Sequence, residues 1–153
     1  MDLTKRQIEI IEAATKLVGE RGIQNLTTKN LAAEMGFSEP ALYRHFKGKT
    51  EILVSVLAFY KNSLAKGMEE ILNSSDTGLQ KLTNILKFQF NHFAKNPAIV
   101  MVIFAETSFQ YEKKLSNVVL DVLNRKKMML EKIIVLGQKD GSIRNDISPE
   151  HIS

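Results

Sequence analysis

With 153 residues, 44% of them apolar and 25% charged, the chain has the composition of a folded globular protein and not of a disordered one. It has no cysteine, which excludes disulfide scaffolds, thiol catalysis and zinc–cysteine sites. The net charge of +4 and isoelectric point of about 9.3 are compatible with a polyanionic partner without demanding one.

The opening MDLTKRQIEI lacks the apolar stretch of a signal peptide. The longest apolar run, 98–105, is far short of the roughly 20 residues a membrane helix needs. The expected setting is therefore the cytoplasm, with no membrane partner. Thr4 and Gln7 have capping-box spacing, and Ile8, Ile11, Ala14, Thr15 and Val18 follow at helical intervals until Gly22 ends the first helix. A second helix starts at the cap Thr27, carries Leu31, Ala32 and Met35, and stops at Gly36, a residue suited to the left-handed conformation. Ser38 is placed to cap a third, short helix over 39–46, with Pro40 in its first turn where a missing amide proton costs nothing.

Gly48 and Lys49 open a long fourth helix bearing Ile52, Leu53, Val56, Leu57, Tyr60 and Leu64. The polar stretch 73–78 breaks it, and a fifth helix over 79–95 is expected to bury Leu82, Ile85, Leu86, Phe90 and Phe93. Pro97 opens a sixth helix, a seventh runs over 112–138, and Ser148-Pro149-Glu150 has the form of a cap and first turn of another. The pattern is all-α throughout. Its expected division is a helix-turn-helix domain over 1–48 and a helical ligand-binding and regulatory domain over 49–153.

Function concentrates in TTKNLAAEMGFSEPALYRHF, residues 27–46. Two short helices flank a tight turn. Leu31, Ala32, Leu42 and Phe46 take the inward positions, and small Ala32 lets the helices cross closely. The i, i+4 spacing of Leu42 and Phe46 then turns Glu39, Pro40, Ala41, Tyr43, Arg44 and His45 outward, the geometry of a helix that enters a major groove. Each residue also has a plainer reading: Tyr43 as packing, His45 as a surface residue, Thr27 and Thr28 as ordinary helix-start residues. The block together is more specific than its members.

The stretch TTKNLAAEMGFSEPALYRHFKGKTEIL, preceded by IEAATKLVGERG, resembles the DNA-binding domain of TetR-family transcriptional regulators. The resemblance covers residues 4 to about 60 and is most specific at Leu42-Tyr43-Arg44-His45-Phe46, Lys49 and Leu53. It implies that Thr28 and Tyr43 hydrogen-bond phosphates, that His45 approaches one, and that Lys49 meets another at the start of the fourth helix. Base reading falls to Lys29, Glu39, Pro40, Ala41 and Arg44, with Arg44 suited to guanine and Pro40 and Ala41 to thymine methyls. Glu39 either accepts from a cytosine amine or caps the helix. The caps Thr27 and Ser38 complete the DNA-contacting set.

The remaining chain agrees with the family only in helical layout. The resemblance implies an inducer cavity among the fifth to seventh helices. Phe88, Gln89, His92, Met101, Phe104 and Phe109 are its expected lining, with His92 or Gln89 orienting a small apolar effector. It also implies a homodimer on a palindromic double-stranded operator, because two recognition helices must stand about 34–36 Å apart. In the family the last two helices build most of that dimer, and this sequence stops as the first of them begins. Either it is truncated there or pairing uses other surfaces. Histidines 45, 92 and 151 lack metal-site spacing and no serine has a base partner, so no enzyme, metal or cofactor is expected. The leading expectation is a repressor released from its operator by the effector. The alternatives are an activator or architectural DNA binder on the same fold, or an adaptor that has lost DNA binding.

Overall fold

The computed structural model describes residues 3–104 and 113–152. Among these the regular elements are all helical. In chain order they are α1 (Lys5–Arg21), a 3-10 turn (Ile23–Asn25), α2 (Thr28–Glu34), α3 (Glu39–Tyr43) and α4 (Lys49–Leu72). Then follow α5 (Gly78–Lys95), α6 (Pro97–Phe104), α7 (Lys113–Lys139) and α8 (Pro149–Ile152). No described helix is long and apolar enough to cross a membrane.

Packing groups the chain into two compact units that interleave in sequence. One holds residues through Tyr60 with the described part of 96–119; the other holds Lys61–Lys95 and the chain from Leu120 onward. Helix α4 therefore contributes its first half to one unit and its second half to the other.

In the first unit α1 begins on the expected capping box: Gln7 N–H donates to the Thr4 hydroxyl, and the Thr4 amide donates to Gln7 Oε1. Ile10, Ile11, Ala14, Leu17 and Val18 form its buried stripe. Helix α2 lies against α1 and is also tied to it by Glu34, which pairs with Lys16 at 3.2 Å and Arg21 at 3.6 Å. Helix α6 packs on α1 as well, burying Ala98, Ile99 and Val102.

The second unit is organised by a close helix crossing. Gly78 at the start of α5 meets Gly137 of α7 so tightly that a Cβ on Gly78 would lie 2.2 Å from the Gly137 Cα. The turn after α7 serves the same place: Gly78 N–H donates to Asp140 Oδ2 at 2.7 Å and Leu79 N–H to Ser142 Oγ at 3.0 Å. These bonds satisfy first-turn amides that α5 cannot pair internally. Lys81, 7% exposed, places its ammonium on the carbonyls of Leu72 and Ser74, at 2.6 Å each, and so closes the C-terminal end of α4.

This crossing corrects the expected face of α5. The buried residues are Gly78, Lys81, Ile85 and Gln89, whereas Leu86 is 39% and Phe90 71% exposed. The stripe is rotated because the glycine contact and the Lys81 cap, both polar or side-chain-free, select the inward side. Apolar periodicity does not register either of them.

Candidate nucleic-acid interface

The turn between α2 and α3 is built from backbone bonds that its glycine permits. Met35 ends α2, Gly36 takes φ +67°, Gly36 N–H bonds Ala33 O at 3.2 Å and Phe37 N–H bonds Ala32 O at 2.8 Å. This paired pattern is a Schellman motif, and it needs the left-handed residue where Gly36 stands. Thr27 caps α2 by accepting from Asn30 N–H at 3.0 Å. Ser38 takes the extended N-cap conformation of α3 but makes no side-chain cap bond; its backbone carbonyl accepts from Ala41 N–H at 3.0 Å. The expected hydroxyl cap is therefore absent at Ser38.

Helix α3 is shorter than expected. It ends at Tyr43, and His45 and Phe46 amides both return to the Leu42 carbonyl, at 3.0 and 3.2 Å. This tightening turns Phe46 into the core before α4 starts. Leu42 is 0% and Phe46 3% exposed, and Leu31 and Ala32 are buried with them, as the spacing requires. Tyr43 is 50% exposed on the other side. Pro40 and Arg44 are exposed, Glu39, Ala41 and His45 half-buried, and Lys29 exposed on α2.

Three of the expected contact residues are joined in one small network. The Thr28 hydroxyl donates to Glu39 Oε1 and lies 3.4 Å from the Tyr43 hydroxyl. It thus links the first turn of α2 to both ends of α3. Lys49 points its ammonium at the Ile23 carbonyl, 2.9 Å away, and burial holds its pKa below the ordinary value. Glu51 reaches back to accept from Lys47 N–H at 2.5 Å, placing a negative charge in the first turn of α4.

Sequence spacing did not reveal two supports of this surface. Gln7 Nε2 donates to the His45 carbonyl at 3.2 Å, and the Arg6 guanidinium sits 4.9 Å from the centre of the Phe37 ring. Gln7 was legible as a capping-box residue. Its second bond spans 38 residues, and no local signal carries that.

The expected effector residues divide between the two units. On α5, Phe88 is half-buried and stacks on His92 with ring centres 6.1 Å apart and 21° between planes. Gln89 is 5% exposed. Across from them on α4, His92 Nε2 lies 3.4 Å from Ser63 Oγ, and Gly67 faces the Phe88 ring, where a Cβ would come 2.4 Å from Cζ. Burial, and secondarily the charge of Lys95, lower the His92 pKa. On α6, Met101 is 43% and Phe104 76% exposed. Phe109 lies outside the described residues.

Residues 10–56 match the family of bacterial regulatory proteins named for tetR, and residues 79–153 match the tetracyclin repressor-like C-terminal domain. The chain belongs to the TetR family. As such it is a DNA-binding transcriptional regulator and not an enzyme. Among curated relatives, the nucleoid occlusion factor SlmA of Yersinia pestis is 30% identical over 84% of this chain. The chain spans 66% of that relative's length. Among solved structures, the ketosteroid transcriptional regulator KstR2 of Mycobacterium tuberculosis superposes with a TM-score of 0.81 at 21% identity, covering 99% of this chain and 77% of that one. The regulator FadR of Bacillus subtilis, solved with stearoyl-CoA, gives 0.74 at 21% identity, covering 94% and 77%. At such identities these structures establish the shared fold.

Proposed function

We propose that this TetR-family chain reads a palindromic double-stranded operator as a homodimer and acts as a repressor released by a small apolar effector. The observation that carries the DNA-reading part is the face of α3. Leu42 and Phe46 are buried behind it, while Tyr43 and Arg44 stand outward and Thr28 joins Tyr43 from α2. Backbone-positioning contacts fall to Thr27, Thr28, Ser38, Tyr43, His45 and Lys49, and base contacts to Lys29, Glu39, Pro40, Ala41 and Arg44. Support for the effector is the cluster of Phe88 and His92 with Ser63 and Gly67, a ring pair beside a polar hydroxyl, with Gln89 buried on the same helix. The names of two fold neighbours, one a ketosteroid regulator and one solved with stearoyl-CoA, agree with an apolar effector. Helix α4 begins beside the reading element and ends in the second unit, so it is the element through which an effector signal would travel.

Tyr43→Phe removes one hydroxyl and leaves the ring. Loss of a hydrogen bond to a charged phosphate, about 1.5–3 kcal/mol, should weaken binding about tenfold or more on every duplex. Arg44→Ala should instead relax preference at particular base pairs. Both are measured by fluorescence anisotropy across a salt series, before and after addition of a panel of lipophilic ligands. Unchanged affinity in both variants would sink the DNA-reading assignment, and a panel that never weakens operator binding would sink the effector. A second reading, an architectural binder that responds to no small ligand, is favoured by the likeness to SlmA. It predicts binding at many chromosomal sites and indifference to the whole panel.

A further inference from the structure

The bond from Thr28 to Glu39 has a consequence for which base α3 recognises. Glu39 occupies the first turn of α3, and N-terminal residues of a recognition helix are those that reach base edges. Its hydrogen bond runs across to the Thr28 hydroxyl on α2 and not back onto the amides of its own helix. That separates the two alternatives open from sequence, since a capping carboxylate would spend its acceptors on α3. The Thr28 proton is directed at Glu39 Oε1, so in this arrangement Thr28 holds the carboxylate in place. Tyr43 Oη lies 3.4 Å from the same hydroxyl, on a side chain that is half exposed.

A carboxylate only accepts hydrogen bonds. In the major groove cytosine offers only an amino donor, adenine an amino donor beside the N7 acceptor, and guanine and thymine offer acceptor oxygens that repel negative charge. We infer that Glu39 is a specificity-determining residue, oriented by Thr28, that selects cytosine at one position of each half-site. Thr28 is then a positioning residue whose hydroxyl acts through Glu39, which leaves its backbone N–H at the start of α2, and not that hydroxyl, for a phosphate. This inference rests on the proposal that α3 reads DNA.

The test is selection from a randomised duplex pool with the full chain and with Glu39→Gln and Thr28→Val, each variant first shown to melt cooperatively. The wild-type chain should enrich a motif with cytosine on one strand at one position per half-site, favoured over guanine about fivefold or more. Glu39→Gln should move that one position to adenine, which a carboxamide pairs through N6 and N7, and leave the others as they were. Thr28→Val should keep cytosine there with a preference reduced several-fold. An identical motif for Glu39→Gln overturns the assignment of Glu39, as does an altered position that was not cytosine or an even loss across all positions. A Thr28→Val motif as sharp as wild type overturns the positioning role. If the wild-type chain enriches nothing, the DNA-reading proposal fails and this inference falls with it.

Discussion

Gly78→Ala tests the helix crossing that organises the second unit. An alanine Cβ at this position would lie 2.2 Å from both the N and the Cα of Gly137 and 3.0 Å from the Ile133 carbonyl oxygen. These are backbone atoms of α7, so no rotamer change relieves the overlap, and the helices must separate by more than an ångström. Separation also strains the bonds from the Gly78 and Leu79 amides to Asp140 and Ser142. Overpacking costs about 1–3 kcal/mol, and a backbone clash belongs at the upper end or beyond. For a chain of this size, about 3 kcal/mol corresponds to a Tm roughly 6–12 °C lower. Intrinsic propensity argues the other way, since alanine is favoured over glycine within a helix by about 1 kcal/mol. Gly19→Ala supplies the contrast. It lies inside α1, its Cβ would rest 3.7 Å from Ala98 Cβ in ordinary contact, and it should be neutral or stabilising. Differential scanning calorimetry of the two variants separates the effects. If Gly78→Ala melts at or above the wild-type temperature, the close approach of α5 and α7 is wrong.

Lys81→Met retains most of the side-chain volume but removes the ammonium from the carbonyls of Leu72 and Ser74. Leaving those acceptors without their charged donor should cost about 1.5–3 kcal/mol, read as a lower urea midpoint with an unchanged m-value; an unaltered midpoint would show that water serves the carbonyls equally well. His92 gives a pH dependence of definite sign. Burial first, then Lys95, hold its folded pKa below the ordinary 6.5, so the unfolded chain takes up the proton more readily. Its contribution is therefore intact above the unfolded pKa and declines as pH falls below 6.5 toward the folded value. Urea midpoints at pH 7.5 and 5.5 should diverge more for wild type than for His92→Gln, and equal divergence would remove His92 from the account.

The parts of the fold that sequence disclosed are those governed by local rules. The Thr4–Gln7 capping box, the Thr27 cap, the left-handed Gly36 and the inward pair Leu42 and Phe46 each follow from neighbours within a few residues. They suffice to place α1 to α3 and the outward face of α3. What failed was α5, where apolar spacing selected Leu86 and Phe90 although the structure buries Lys81 and Gln89. A lysine is buried there because its ammonium finds two carbonyls at the end of α4, and a glycine because another glycine crosses it. Both reasons lie in residues 7 or more positions away, beyond what a hydrophobic period can express. The Thr28–Glu39–Tyr43 network was missed for the same reason. Its members were each singled out, but their hydrogen bonds depend on how α2 and α3 cross.

The brevity of α3 bears on how such a surface can read DNA at all. Five residues are too few for a helix to hold itself in water, where even favourable sequences need about 12–15. Its conformation must then come from what surrounds it. Leu42 and Phe46 anchor it from beneath, Gln7 of α1 holds the His45 carbonyl, Thr28 of α2 engages Glu39, and Lys49 fixes α4 to the 3-10 turn through the Ile23 carbonyl. Bonds from two other helices, α1 and α2, therefore help fix the angle at which Tyr43 and Arg44 are presented. Helix α4, tied at Lys49 to the 3-10 turn, runs for 24 residues and ends in the second packing unit. In the proposed effector response, a small rotation of α4 would need no unfolding of α3; it would act first on Lys49 and its bond to the Ile23 carbonyl.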